Sequence, residues 1–192
     1  MKVQERMKRN RVVYAAAFFL IVSTCAVAGV AQDTKANQDL DGIHSRLAKE
    51  VRHELVMLPF YSLFDNLAFR IEGIDAIVLV GQVTRPTLKQ DAENVVRKIE
   101  AVGKVVNDIE VLQLSPNDDR IRRAAYRAIY SRAGLDRYAV SAVPSIHIIV
   151  KNGNLTLEGV VANQRDKDLA GIAAKGVSGT FAVTNNLRIE SK

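Results

Sequence analysis

Residues 43–112 align with residues 121–190 at a nearly constant offset of 78. Self-similarity at a fixed spacing means that one supersecondary unit is used twice. The matches fall on residues of different kinds: Ile43 with Ile121, Val51 with Ile129, Gly81 with Gly159, Val83 with Val161, Lys89 with Lys167, Ala92 with Ala170 and Asn107 with Asn185. Each copy must therefore fold within about 70 residues, a size at which a single core is marginal. The two copies are expected to pack on each other or on a partner.

Each unit opens with a helical stripe, Ile43, Leu47, Val51 and Leu55 in the first copy, at the spacing of one helix face. Two alternating strands follow, Leu67 to Glu72 and Ile77 to Val83 in copy one, and Ile146 to Lys151 and Leu155 to Val161 in copy two. Lys151-Asn152-Gly153-Asn154 between the second pair has the residues that a tight hairpin requires. A second helix in copy one is opened by Thr84 and Pro86, closed by Gly103, and carries the stripe Leu88, Ala92, Val95, Val96 and Ile99. Its counterpart in copy two holds Gly171, Gly176 and Gly179, which weaken helicity, and is expected to be short or irregular. A final strand, Val105 to Leu112 or Phe181 to Glu190, completes the unit. The fold class is α+β: two tandem αββαβ modules, each a three-stranded mixed sheet covered on one face by two helices.

Ahead of the repeat, Lys2, Arg6, Lys8, Arg9 and Arg11 precede an apolar run from Val12 to Val22, which relaxes into small residues through Ala28 and Ala31. That is the build of a secretory signal, with cleavage after Ala28 or Ala31, and the run is shorter than the roughly 20 residues of a membrane span. The lone cysteine, Cys25, lies behind a poor lipoprotein box because Thr24 is bulkier than the usual small residue, so lipid anchoring is the weaker alternative. The division reads as signal 1–31, a polar, disordered linker 32–42, and modules 43–114 and 115–192, the last opening with Ser115-Pro116 and capped by Asp118 or Asp119. Removing residues 1–31 leaves 22 basic against 20 acidic residues and no cysteine. The basic balance of the whole chain thus belongs to the signal, and a nucleic-acid partner loses its main support.

The strongest motif is Gly153-Asn154-Leu155-Thr156-Leu157-Glu158-Gly159-Val160-Val161, then a helix, then Val183-Thr184-Asn185-Asn186-Leu187-Arg188-Ile189. Copy one repeats it in Ile77 to Val83 and Val105-Val106-Asn107-Asp108-Ile109-Glu110-Val111. Taken twice in register, this resembles the BON (bacterial OsmY and nodulation) domain over residues 43–190. The resemblance implies a periplasmic or envelope protein without enzymatic activity, associated with phospholipid membranes, osmotic or envelope stress and protein contacts. It supplies no catalytic residues to carry over. Gly81 and Gly159 are expected to leave their strands through a conformation that a Cβ would hinder.

Conventional chemistry finds little footing. His44 and His53 fall on opposite helix faces and His147 sits in a strand, so no metal site is expected, nor any cofactor or small-molecule substrate. Nucleophile-elbow, P-loop and dinucleotide motifs are missing from the sequence. More informative is the helix from Arg120 to Arg132, where Arg120, Arg123, Tyr126, Arg127 and Tyr130 share one sector with no acid, followed by Arg137 and Tyr138 in the next loop. Arginine forks match phosphate and tyrosine suits the headgroup boundary, which makes an anionic phospholipid surface the expected partner. The alternative reading is a solvated arginine face whose tyrosines pack against the first module. Leu58-Pro59-Phe60-Tyr61-Ser62-Leu63-Phe64 is too aromatic for a solvated loop, and it is expected to fold down as core or as the seal between modules; exposed, it would be a protein-docking patch. Two functions follow. The first is an exported protein binding anionic membrane surfaces or envelope proteins; the second is a soluble, chaperone-like periplasmic binder.

Overall fold

The computed structural model of the chain describes residues 28–141 and 143–190. The segment expected to be a signal, residues 1–31, lies outside the described residues up to residue 27, as does Cys25, and residues 28–31 open a helix. The chain divides at Ile43 into an N-terminal unit, helical from Ala28, and a unit holding both modules from His44 onward. Helix α1 (Ala28–Val56) includes residues 32–41, which were expected to be unstructured. No proline or glycine interrupts that stretch, and polarity keeps a helix out of a core without preventing it from forming in solvent.

Module 1 takes Leu47, Val51 and Leu55 from α1 as its core stripe, all at most 3% exposed. Ile43, expected on the same stripe, is 45% exposed. Strands β1 (Asn66–Glu72) and β2 (Ala76–Val83) pair antiparallel, with Leu67 opposite Gly81 and Phe69 opposite Leu79. Helix α2 (Pro86–Val96) crosses back, and β3 (Lys104–Asn107) and β4 (Glu110–Val111) run parallel to β2. Module 2 repeats the plan with α3 (Pro116–Tyr130), β5 (Ile146–Lys151), β6 (Asn154–Val161), α4 (Gln164–Lys175), β7 (Ala182–Asn185) and β8 (Arg188–Ile189). Each sheet is thus mixed, with its core under two helices, and each buried Leu or Ile contributes about 1.5–3 kcal/mol.

The single final strand expected in each copy is broken in two, and a matched asparagine does it. The Asn107 side-chain Oδ1 accepts from the Ile109 N–H at 3.3 Å while its Nδ2 donates to the Lys89 carbonyl at 2.9 Å. Asn185 makes the same bonds to Leu187 and Lys167, at 3.2 and 2.8 Å. A side chain that turns its own backbone and ties it to the neighbouring helix carries out two tasks at one residue. The matched glycines are equally specific. Gly81 and Gly159 have φ of 123° and 117°, and a Cβ there would stand 2.0 Å from the carbonyl oxygen of Asn66 or Ser145.

Other boundaries moved. Ser115, not Asp118 or Asp119, caps α3, accepting from the Asp118 N–H at 3.2 Å, because Pro116 suits the first helical position and places the cap before it. Thr84 does not cap α2, since its N–H and hydroxyl both go to Asp65, at 2.6 and 2.8 Å; α2 ends at Val96, well before Gly103. Helix α4 is regular over 12 residues despite its glycines. Gly171 faces the Asn185 side chain too closely for a Cβ, Gly176 is the C-cap, and Gly179 lies past the end. At the hairpin, Asn152 and Gly153 have φ of 51° and 75°, the left-handed pair of a type I′ turn.

The aromatic segment forms the seam between modules. Leu58 is buried in the first core, while Leu63 and Phe64 pack against the second. The Ile148 N–H donates to the Leu63 carbonyl at 2.7 Å, so module 1 supplies a backbone acceptor to the outer edge of β5. Tyr61 stacks on His147 with ring centroids 5.6 Å apart. Of the aromatic residues in the segment Phe60 turns outward, 68% exposed, with a left-handed φ of 67° and the Arg85 guanidinium 4.8 Å over its ring.

Candidate functional site

Helix α3 is set against its sheet by Ile121, Ala125 and Ile129, which are fully buried, so its opposite face is solvent-facing by geometry. Arg120, Arg123, Tyr126 and Arg127 are exposed on it. Arg120 is steadied by the Asn117 side-chain oxygen at 2.9 Å, and among the described residues none of these three arginines forms an ion pair with a carboxylate. An unpaired guanidinium keeps its fork of donors free for a phosphate or carboxylate from outside.

The other predicted members of the stripe have internal roles. Tyr130 is buried at 8% exposure and its hydroxyl donates to the Ile146 carbonyl at 2.7 Å; burial raises its pKa. It packs in the core of its own module, the same cluster against which Leu63 and Phe64 of module 1 pack. Tyr138 is half-buried, donating to Asp166 at 2.6 Å and accepting from the Ala162 N–H at 2.9 Å. Arg137 is ion-paired with Asp166 and lies against Tyr138, whose hydroxyl and Asp166 raise its pKa despite some desolvation. The exposed members of the stripe are thus Arg120, Arg123, Tyr126 and Arg127, with the Tyr126 and Tyr130 rings 5.1 Å apart linking surface to core.

Two charged residues of α3 carry more structure than their spacing revealed. Arg122 is buried, bonding Asp119 at 2.5 Å and the Val150 carbonyl at 2.7 Å, with Nε left without a partner. Asp118 is buried as well and accepts the Asn152 and Gly153 N–H groups at 2.9 and 2.8 Å, clamping the tip of the β5–β6 hairpin. The signal for Asp118 was its place in the first turn, where a carboxylate also meets the helix dipole. Among the described residues there is no cluster of three metal-ligating side chains.

A BON domain profile matches residues 45–113 and again residues 117–191. The chain belongs to the BON domain family. BON domains are non-catalytic modules of proteins associated with the cell envelope and with membranes. Among the described residues no helix is long and apolar enough to cross a membrane. No curated protein matches this BON chain. Two solved structures of CdsD, a structural protein of the type III secretion system of Chlamydia trachomatis, one of them its C-terminal domain, are 12% identical and cover 76% of this chain and 98% and 92% of their own. Their TM-score of 0.30 is too low to bear on the function of this one.

Proposed function

We propose that this chain is an exported, non-enzymatic envelope protein whose second module docks on anionic phospholipid surfaces and supports envelope integrity under stress. The observation that carries the reading is the exposed face of α3, where Arg120, Arg123 and Arg127 surround Tyr126 without a neutralising carboxylate among the described residues. Each arginine near an anionic leaflet contributes about 1 kcal/mol, so three of them give weak, salt-sensitive docking. The corresponding face of α1 mixes Arg46, Lys49 and Arg52 with Glu50 and Glu54, an asymmetry that favours module 2 as the contact. Export rests on the basic, then apolar, N-terminal segment.

Cosedimentation of the purified protein with neutral and with anionic liposomes, at low and high salt, tests this. The expected result is binding to anionic liposomes alone, weakened by salt and by the triple change Arg120→Ala, Arg123→Ala and Arg127→Ala. Absence of binding at low salt, or binding indifferent to the triple change, would sink it.

A further inference from the structure

The repeat allows one module to be compared with the other at the same place, and at the outer edge of the sheet they differ. In module 2 the inward residues of the edge strand, Ile146, Ile148 and Val150, are fully buried. By register, Gly159, Leu157 and Leu155 stand opposite them, as Gly81, Leu79 and Ile77 stand opposite Leu67, Phe69 and Ile71 in module 1. Yet Leu67, Phe69 and Ile71 are only half-buried. The cause is a missing neighbour. Leu63 and Phe64 cover the β5 edge, and the Leu63 carbonyl takes the Ile148 N–H; among the described residues no backbone carbonyl takes the equivalent Phe69 N–H.

An open groove of about 360 Å³ lies along β1 instead, between that strand and α1. Leu55, Leu67, Phe69 and Ile71 give it an apolar wall, and Arg52 and Arg188 are its charged members, with no carboxylate in the lining. Arg52 stands at the repeat position of Tyr130, which in module 2 is buried and bonded to the edge strand. An exposed strand edge beside a helix is the geometry in which an extended segment adds as a further strand, gaining main-chain bonds from the edge and specificity from side-chain pockets.

We infer that the β1–α1 groove of module 1, completed by Arg188 of module 2, is a docking site for an extended, apolar protein segment bearing a carboxylate, which covers the β1 edge where the Ser62–Asp65 turn covers that of β5. The charge requirement comes from Arg52 and Arg188, and the apolar requirement from the half-buried wall. This site is separate from the arginine face of α3, so it stands or falls independently of the membrane reading.

The probe is a synthetic peptide with the sequence of residues 58–66, which pairs apolar residues with the Asp65 carboxylate. It is titrated into the full protein and followed by amide chemical shifts. Saturable binding with the largest shifts at Phe69 and its β1 neighbours is expected, weakened about tenfold or more by Arg52→Glu together with Arg188→Glu, because the double reversal turns attraction of the peptide's carboxylate into like-charge repulsion. Both arginines are exposed, so the fold is expected to survive, and a peptide carrying Lys in place of its Asp checks the same charge requirement on the unaltered protein, where it is expected not to bind. No saturable binding, shifts centred on β5 through displacement of the chain's own segment, or indifference to both charge changes would overturn the proposal.

Discussion

At the scale of the residue, His147 turns a strand position into a pH-sensitive contact. It lies in β5 between Ile146 and Ile148, and the alternation of a half-exposed strand would have put it in water. It is buried because Tyr61 of the seam covers its ring. Burial lowers its pKa, while the Asp65 and Ser62 backbone and the Asp65 and Glu158 charges pull the other way without prevailing. Burial of the same kind pushes the Tyr61 phenol up to about 12. A histidine held neutral on folding binds fewer protons than in the unfolded chain, so stability rises with pH. Its contribution is intact above the ordinary imidazole value of 6.5 and is lost as pH falls towards and through the depressed folded value. The urea midpoint should fall between about pH 7.5 and about pH 5.5, and His147→Phe, which keeps a ring under Tyr61, should flatten that fall. An equal pH dependence in the variant would assign the effect to other groups.

At the scale of the element, α3 is held to its sheet by polar contacts as well as by its apolar stripe. Asp118 is the chief of these, because it supplies both acceptors for the N–H groups at the turn of the β5–β6 hairpin. Asp118→Ala leaves the Asn152 and Gly153 donors short of a partner and should destabilise the protein by about 1–3 kcal/mol per group that water cannot reach. Faster hydrogen exchange at Asn152 and Gly153 in that variant would locate the loss, and unchanged exchange there would refute the clamp. Most of the apolar stripes of α1 and α2, the hairpin residues and the two glycines could be read from the sequence because each is a local rule of periodicity or backbone freedom, Ile43 being the exception at 45% exposed. Tyr130 and Arg122 could not. A helical wheel gives an angle, and whether a residue at the boundary of the stripe is covered depends on how deeply the helix seats on its sheet. Tyr130 seats deeply enough to reach the Ile146 carbonyl, and Arg122 to reach that of Val150. The broken final strands escaped for a similar reason, since Asn107 and Asn185 look like ordinary strand polar residues until a helix carbonyl lies within reach.

At the scale of the whole molecule, the seam is directional. Module 1 donates the Leu63–Phe64 segment to the edge of module 2, and Leu63 and Phe64 pack on the second core and not on the first. The Lys151–Glu110 ion pair at 2.6 Å adds a contact near the connector, but with both side chains about half exposed it is a minor one. Module 2 without module 1 would expose the β5 edge and the wall formed by Ile146, Ile148 and Val150, while module 1 without module 2 would lose Arg188 from its β1 groove and uncover Leu63 and Phe64. An edge strand uncovered in this way is a site for pairing with other chains. Residues 115–192 expressed alone should therefore be destabilised and prone to self-association. Phe64→Ala in the whole chain should show the same asymmetry more gently, with the loss near 2 kcal/mol expected for a partly buried aromatic and with exchange protection falling in β5 and β6 before β1 and β2. Equal protection loss in both sheets would mean that the modules stabilise each other symmetrically, and the open β1 edge would then be an edge that module 2 already helps to cover.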